Sequence, residues 1–384
     1  MRKFHKLLHS DGALYEKLLP TNEQEKALRE AKNTIKQALI TGIKHAATRE
    51  LRMEKEVEPR FRTQGSWAYV ACVQPARQPP QEMDWDYGVY LPVTMMEDKA
   101  TPKVAAKAYF DVVEGLLTQL AKREGWTMGK PKDRCVRVHV ANWAHVDVAL
   151  YAAPEDEFAK VNDRLVEAKA YTADHAASVS LERYAEIEVE QSWDDFEGMM
   201  LAKRDGEWEH SDAEKIAGWF RFQKETHGDQ LQRTWRYMKA WRDQQWAEGG
   251  PSSVCLMLVA TQHYEKHFGR DDLALIHISK HLPHALAHDI TEDGIDPGHN
   301  FNRMTADERE DARKRAQIFA DELTKARTNV VQPKSAVVTG LRALWGNRVP
   351  DREQDLEPES PAQQVRDTPA RTVVAPAVTS SYAG

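Results

Sequence analysis

An α+β protein carrying a second, helical lobe is the fold predicted by three features of the sequence. These are a long helical pattern before residue 55, short alternating apolar runs between residues 89 and 150, and mostly helical spacing beyond about Pro154. At 384 residues the chain exceeds one average domain. Residues 1–200 are read as the α+β core with its long N-terminal helix, 201–349 as the helical lobe, and 350–384 as a flexible tail.

Residues 21–52 are expected to form a spine helix. Thr21 and Gln24 have capping-box spacing, in which each side chain satisfies the other residue's backbone N–H, and Leu28, Ile35, Leu39 and Ile43 supply an apolar stripe. After Pro59 the composition turns to Gly, Gln and aromatic residues, and then Val89, Leu91 and Val93 alternate with Tyr90, Pro92 and Thr94 as a strand does. Residues 102–123 return to helical spacing, and 136–140 and 146–150 read as two further strands. The second lobe is predicted from helical patterns at 211–222, 231–246, 252–268 and 306–326. From Pro350 onward Pro, Glu, Gln, Ser and Thr dominate, which is the composition of a segment that buries little.

Composition narrows the class. A hydrophobic fraction of 41% beside 29% charged residues places the chain among ordinary globular proteins. No apolar run approaches the ~18 residues of a membrane span, and Met1-Arg2-Lys3-Phe4-His5 lacks the apolar stretch of a secretory signal, so a cytoplasmic protein with no membrane partner is expected. Cys72, Cys135 and Cys255 lie far apart without a Cys-x-x-Cys pair, which points to neither a zinc site nor a disulfide framework. The net charge of -7 argues against a duplex-DNA activator, because duplex binding needs many cations against phosphates; a local basic pocket remains compatible with it.

Acidic residues carry the chemistry. Gly65-Ser66 is followed by Asp84-Trp85-Asp86, and Asp147 sits between Val146 and Val148 in an apolar strand. Two aspartates at i and i+2 of an extended segment share a face, and a third on a neighbouring strand completes a site for hard, oxygen-seeking cations. Two such ions about 4 Å apart activate a sugar hydroxyl and stabilise departing pyrophosphate. Gly65 permits close backbone approach and Ser66 offers a hydroxyl and an amide to phosphate oxygens. Taken singly, a Gly-Ser or an Asp-x-Asp is a common surface feature, and an acid in an apolar strand is metal-bound, ion-paired or on a solvated face.

Longer stretches are more specific. Pro59-Arg60-Phe61-Arg62-Thr63-Gln64-Gly65-Ser66, Gln81-Glu82-Met83-Asp84-Trp85-Asp86-Tyr87-Gly88, His145-Val146-Asp147-Val148-Ala149-Leu150-Tyr151-Ala152-Ala153-Pro154 and Met238-Lys239-Ala240-Trp241-Arg242-Asp243-Gln244-Gln245-Trp246 resemble the bacterial DncV-like nucleotidyltransferases, relatives of cyclic GMP-AMP synthase. The likeness continues through Gly249-Gly250-Pro251-Ser252-Ser253, Lys280-His281-Leu282-Pro283 and Gly346-Asn347-Arg348-Val349.

The resemblance implies a polymerase-β-like nucleotidyltransferase palm joined to a helical lobe, with Asp84, Asp86 and Asp147 both catalytic and metal-holding. It implies nucleotide contacts at Gln64, Gly65, Ser66, Trp67, Ala68 and Tyr69, with Tyr69 stacking on a base, and further contacts at Arg137, Ser211, Lys239 and Ser253. Mg²⁺ is the implied cofactor, with Mn²⁺ as the alternative. The implied reaction makes a cyclic dinucleotide second messenger from ATP and GTP, most readily 3′,3′-cyclic GMP-AMP, in antiviral defence. Another cyclic di- or trinucleotide, a linear oligonucleotide and an inactive nucleotide sensor stand as alternatives. A separate effector would bind the product, and a ubiquitin-transfer-like partner would act on the C-terminal Gly384. Arg62 stands where relatives carry Trp, so a folate-like inhibitor that stacks on indole is not expected.

Overall fold

The computed structural model describes residues 1–92, 102–156, 158–159, 198–211, 213–360 and 362, so the strand positions Val93 and Thr94 and the terminal Gly384 fall outside the described residues. The chain opens with strand β1 (Arg2–Lys3) and helices α1 (His5–Leu8) and α2 (Leu14–Leu18). The spine helix α3 (Asn22–Arg49) begins at the expected capping box, in which the Thr21 hydroxyl accepts from the Gln24 N–H and the Gln24 side chain accepts from the Thr21 N–H. Its stripe of Leu28, Ile35, Leu39 and Ile43 is buried.

The sheet follows. Strand β2 (Arg60–Thr63) leads into the short helix α4 (Gly65–Ala68), β3 (Met83–Pro92), helix α5 (Pro102–Glu124), β4 (Thr127–Met128), β5 (Val136–Ala141) and β6 (Ala144–Ala153). Strands β7 (Met200–Ala202) and β8 (Trp208–His210) complete it. The spatial order is β2-β3-β6-β5-β4, with β7 pairing β6 near its far end and carrying β8. The central pair β3 and β6 is parallel, and each other pair in this sheet is antiparallel. Side chains alternate across it. Trp85, Tyr87, Val89, Val136, Val138, Val146 and Val148 join α3 and α5 in one core, which leaves the even positions of β3 and the odd positions of β5 and β6 for the other face.

The second lobe consists of α6 (Ala213–His227), α7 (Asp229–Gln245), α8 (Ser253–Gln262), α9 (Asp271–Ala287), α10 (Ala306–Thr328) and α11 (Lys334–Trp345), followed by strand β9 (Glu357–Pro358). It packs around Trp235, Trp241, Phe319 and Trp345.

Three expectations need correction. Residues 1–18 do not belong to the first lobe: Phe4, Leu7, Leu8, Leu14 and Leu18 are buried in the helical core, and β1 pairs with β9. The segment 350–360 is not free, because Leu356 is buried and the Glu359 carboxylate accepts from both Arg270 and Arg327. Helix α9, which holds Pro283 inside its last turns, was not among the expected helices, and α8 stops at Gln262 rather than near 268.

The lobes are joined by a polar stripe on α7. Gln232, Arg236 and Lys239 recur at i, i+4 and i+7 on one face and are all buried. Gln232 Nε2 and Arg236 Nη2 donate to the Val70 carbonyl at 3.0 and 2.6 Å, and Lys239 Nζ donates to Ala71 O at 2.8 Å. These cations are tolerable inside the protein because carbonyl oxygens replace their water. At the other end of α7, Gln81 Nε2 donates to Asp243 O and Trp246 O, both at 2.8 Å.

Within the helical lobe, Asp271 at the start of α9 has a fully buried side chain that accepts from Arg233 Nε at 2.7 Å, Arg233 Nη2 at 2.9 Å, Gln230 at 2.9 Å and Tyr237 at 3.0 Å. Burial pushes its carboxyl up, but the Arg233 fork and the Gln230 contact outweigh that and hold it below its ordinary value. This stabilisation is therefore present above about pH 4 and is lost as pH falls through the folded-state value. Asp271→Ala strands the Arg233 charge and is expected to lower stability by about 3–5 kcal/mol at pH 7, measured by denaturant unfolding.

Candidate active site

The parallel pairing of β3 with β6 and the antiparallel pairing of β6 with β5 arrange six side chains in two rows on one sheet face. Asp86 is in register with Asp147 and Asp147 with Arg137; one step along, Asp84 is in register with His145 and His145 with His139. Period-two alternation on three adjacent strands produces this grid, and Glu82 extends it beyond Asp84.

Charge governs the first row. Arg137 grips Asp147 at two points, Nε to Oδ1 at 2.7 Å and Nη2 to Oδ2 at 2.6 Å, with Lys132 Nζ at 3.4 Å. Burial raises the Asp147 carboxyl, but the Arg137 contact, helped by His145 and Lys132, leaves it below its ordinary value. Asp86 has no such fork. Burial, followed by the nearby charges of Asp84 and Asp147, pushes its carboxyl up to about 8 despite Lys239 and Arg137.

Gly65 makes this approach feasible. At φ +59° it occupies the left-handed region, and a Cβ there would lie 1.9 Å from Asp86 Oδ2, so the carboxylate rests where a side chain would be. The turn is tied to the strand by the Gln64 N–H donating to Asp86 O at 2.9 Å.

Ser66 follows, and its hydroxyl accepts from Lys239 Nζ at 2.5 Å. Burial holds the Lys239 ammonium below its ordinary value although Cys72 and Asp84 pull the other way. A cavity of about 350 Å³ opens between the lobes beside these groups, with Ser66, Asp84, Arg137, Lys239, Arg242 and Ser253 among its walls. Ser253 is the first residue of α8, whose N-cap Ser252 hydroxyl accepts from Cys255 N–H; the preceding Gly249 and Gly250 both have positive φ. Unpaired N–H groups at such a helix start suit an anion.

The structure thus brings Asp84, Asp86 and Asp147 to one face, and Ser66, Arg137, Lys239 and Ser253 to the adjoining cavity. Other expected nucleotide contacts stand elsewhere. The Gln64 side chain donates to Tyr90 at 2.8 Å and to Glu214 at 3.2 Å, and accepts from Tyr151 at 3.2 Å, forming a buried network whose Tyr151 phenol also meets Ser211. Trp67 stacks on Trp85 with centroids 4.5 Å apart and donates to Asp84 O. Tyr69, expected to stack on a base, is buried with its ring 5.1 Å from Phe220. Trp67, Ala68 and Tyr69 line a separate cavity that reaches α3 and α6. An aromatic after a Gly-Ser turn is as useful to the core as to a purine, and here the ring packs against α6. Glu82, His139, His145 and Glu214 were missed, although alternation about Asp84, Arg137 and Asp147 marks the first three.

The site's chemistry is that of divalent-cation binding. Carboxylate oxygens are the hard donors such ions prefer, and burial together with the neighbouring Asp84 and Asp147 charges raises the Asp86 carboxyl, both of which a bound cation would offset. In the conformation seen, Asp147 is committed to Arg137.

Residues 59–151 match the family model described as the nucleotidyltransferase domain of cyclic GMP-AMP synthase, DncV-like, and residues 228–357 match that of the cyclic GMP-AMP synthase C-terminal domain. The chain is 33% identical over 310 residues to a cyclic GMP-AMP synthase of Vibrio cholerae, covering 77% of this chain and 69% of that protein. The chain belongs to the DncV-like cyclic GMP-AMP synthase family. It is accordingly a nucleotidyltransferase. A cyclic GMP-AMP synthase of Escherichia coli is 34% identical over 221 residues, and the match spans half of that relative's length. In fold, the DncV-like chain matches the crystal structure of Vibrio cholerae DncV cyclic AMP-GMP synthase in complex with the linear intermediate 5′ pppA(3′,5′)pG. That match has a TM-score of 0.73 at 23% identity, over 94% of this chain and 99% of that one.

Two outcomes follow for this DncV-like site. In chelator, folded Asp86 keeps a proton that the unfolded chain has released, so stability should fall as pH rises from about 4 to about 8. Asp86→Asn should flatten that slope, raise the melting temperature at pH 7, and lose the stabilisation that divalent cation gives the parent protein. Gly65→Ala should lower kcat on the order of 10²-fold in steady-state assays by displacing the Asp86 carboxylate.

Proposed function

We propose that this cleft joins ATP and GTP into a cyclic dinucleotide, 3′,3′-cyclic GMP-AMP, with Asp84, Asp86 and Asp147 holding Mg²⁺, or Mn²⁺ in its place. The observation that carries the reading is the row Asp86–Asp147–Arg137 facing the Gly65-Ser66 turn across adjacent strands. When bound, the divalent cations neutralise triphosphate oxygens and favour ionisation of the attacking sugar hydroxyl.

The chain's own groups orient the reactants. Lys239, already holding the Ser66 hydroxyl, is placed to present both to phosphate oxygens, and the α8 start with Ser253 offers a second anion contact at the far wall of the cavity. Arg137 changes partner in this scheme: released from Asp147, its fork turns to phosphate, so the carboxylate is kept neutralised until substrate arrives. A mutant of the Vibrio cholerae di-nucleotide cyclase has been solved in complex with ATP and GTP, which supports that pair here. A linear intermediate that turns in the cleft fits one acidic site serving two successive bond formations. Gln64, Trp67, Ala68, Tyr69 and Ser211 act indirectly in this reading, by shaping the turn behind Ser66.

In the cell the enzyme acts in the cytoplasm in antiviral defence, without duplex DNA, and a separate effector reads its product. A ubiquitin-transfer-like partner would act at Gly384. No helix among the described residues is long and apolar enough to cross a membrane.

Asp84→Asn and Asp147→Asn should each cut Mg²⁺-dependent pyrophosphate release by about 10³-fold or more, some 4 kcal/mol of barrier, with the fold retained by circular dichroism. Products from all four triphosphates, resolved by mass spectrometry and terminal phosphatase, should be cyclic and contain one adenine and one guanine. A phosphatase-sensitive ladder would make the enzyme a linear polymerase, and nucleotide binding without pyrophosphate release would make it a sensor.

A further inference from the structure

Beside the three aspartates lies a group of different donor chemistry. Glu82 Oε2 is 2.8 Å from His139 Nδ1 and 2.8 Å from His145 Nδ1, and the three ligand atoms all lie within 4.8 Å of one another. Among the described residues no other trio of His, Cys, Asp or Glu converges in this way. All three side chains line the cavity between the lobes. We propose that Glu82, His139 and His145 form a second cation site in the cleft, one that takes a transition-metal ion such as Zn²⁺ or Co²⁺ rather than Mg²⁺.

Donor type sets the selectivity. Two imidazole nitrogens and one carboxylate oxygen suit borderline ions, whereas Mg²⁺ prefers oxygen and keeps its water. The geometry needs only a small adjustment. With bonds of about 2.0–2.2 Å, tetrahedral ligand atoms stand about 3.4 Å apart, so each Glu82–His separation opens by about 0.6 Å to admit the ion. Because all three residues line the cavity, water there could complete the shell.

Proton placement on His145 supplies an independent argument. Without the ion, both rings satisfy Glu82 only as Nδ1–H donors, which leaves the buried His145 Nε2 a bare acceptor. Among the described residues that atom has no hydrogen-bond partner, and it lies 4.0 Å from Asp147 Oδ1, so a lone pair faces a carboxylate. Coordination through Nδ1 resolves it: the ring proton moves from Nδ1 to Nε2, no net proton leaves, and the N–H then points toward Asp147. Metal-bound histidines commonly place their second nitrogen this way, against a carboxylate. The ion thereby bears on Asp147, which connects the second site to the carboxylate row.

The test is a titration of chelator-treated full-length protein with Co²⁺ alone, read by its visible d–d absorption, so nucleotide turnover does not enter. The expected result is one equivalent with a low-coordinate spectrum, displaced by Zn²⁺ and not by excess Mg²⁺. His139→Ala, at a partly exposed position, and Glu82→Gln should each weaken Co²⁺ binding at least 10-fold, while Asp86→Asn retains the spectrum. Absence of a low-coordinate spectrum in the parent protein would overturn the proposal. So would a spectrum abolished by Asp86→Asn and kept in His139→Ala, since the ion would then sit at the aspartates.

Discussion

Mutual repulsion among Asp84, Asp86 and Asp147 is the constraint around which this molecule is arranged. Three carboxylates on adjacent positions of one sheet face would separate in a flexible chain, and only a backbone fixed on both sides keeps them together. Parallel pairing of the two central strands provides that backbone, because its hydrogen bonds run along Met83–Pro92 and Ala144–Ala153 without interruption. Alternation then sends Trp85, Val146 and Val148 into the core behind, so the apolar side of each strand anchors the acidic side. The cost appears at Asp86, where burial and like charge leave the carboxyl near 8, while Asp147 is relieved by Arg137. A site held in this way is pre-organised for cations and strained without them.

The second lobe completes the turn that faces those acids. Residues 64–72 contain a left-handed Gly65 and a left-handed Val70, conformations that a short loop does not keep unaided. Helix α7 holds them by capturing the carbonyls of Val70 and Ala71 with Gln232, Arg236 and Lys239. One residue of that stripe, Lys239, also reaches the Ser66 hydroxyl, so the contact that joins the lobes is continuous with the wall of the cavity. Lobe packing and the cavity wall share side chains, and movement of α7 would be felt directly at the turn.

Much of this was legible in the chain. The Thr21–Gln24 box, the stripe of α3 and the acids at 84, 86 and 147 follow from local spacing, because capping and alternation are local rules. What local rules missed is equally specific. Leu356 and Glu359 lie in a stretch of disordered-like composition, yet one apolar side chain and one carboxylate shared by Arg270 and Arg327 fix it to the lobe. Tyr69 is an aromatic suited to a base, and Phe220 from a distant helix claims its ring instead. Alternation marks Glu82, His139 and His145 one by one, but only the pairing of β3, β6 and β5 brings them together.

By itself the sequence determined the spine helix, the strands around Val89, Val138 and Val148, most helices of the second lobe and the shared face of Asp84 and Asp86, since each depends on periodicity within a single segment. Tertiary structure alone decided which strands became neighbours, that Arg137 neutralises Asp147, that Asp86 stays without a fork, and that Lys239 meets Ser66 across the lobes. The physical reason is range. Propensity and capping act over a few residues, whereas the field at a carboxylate is set by every charge and every excluded water within several ångströms, whatever its place along the chain.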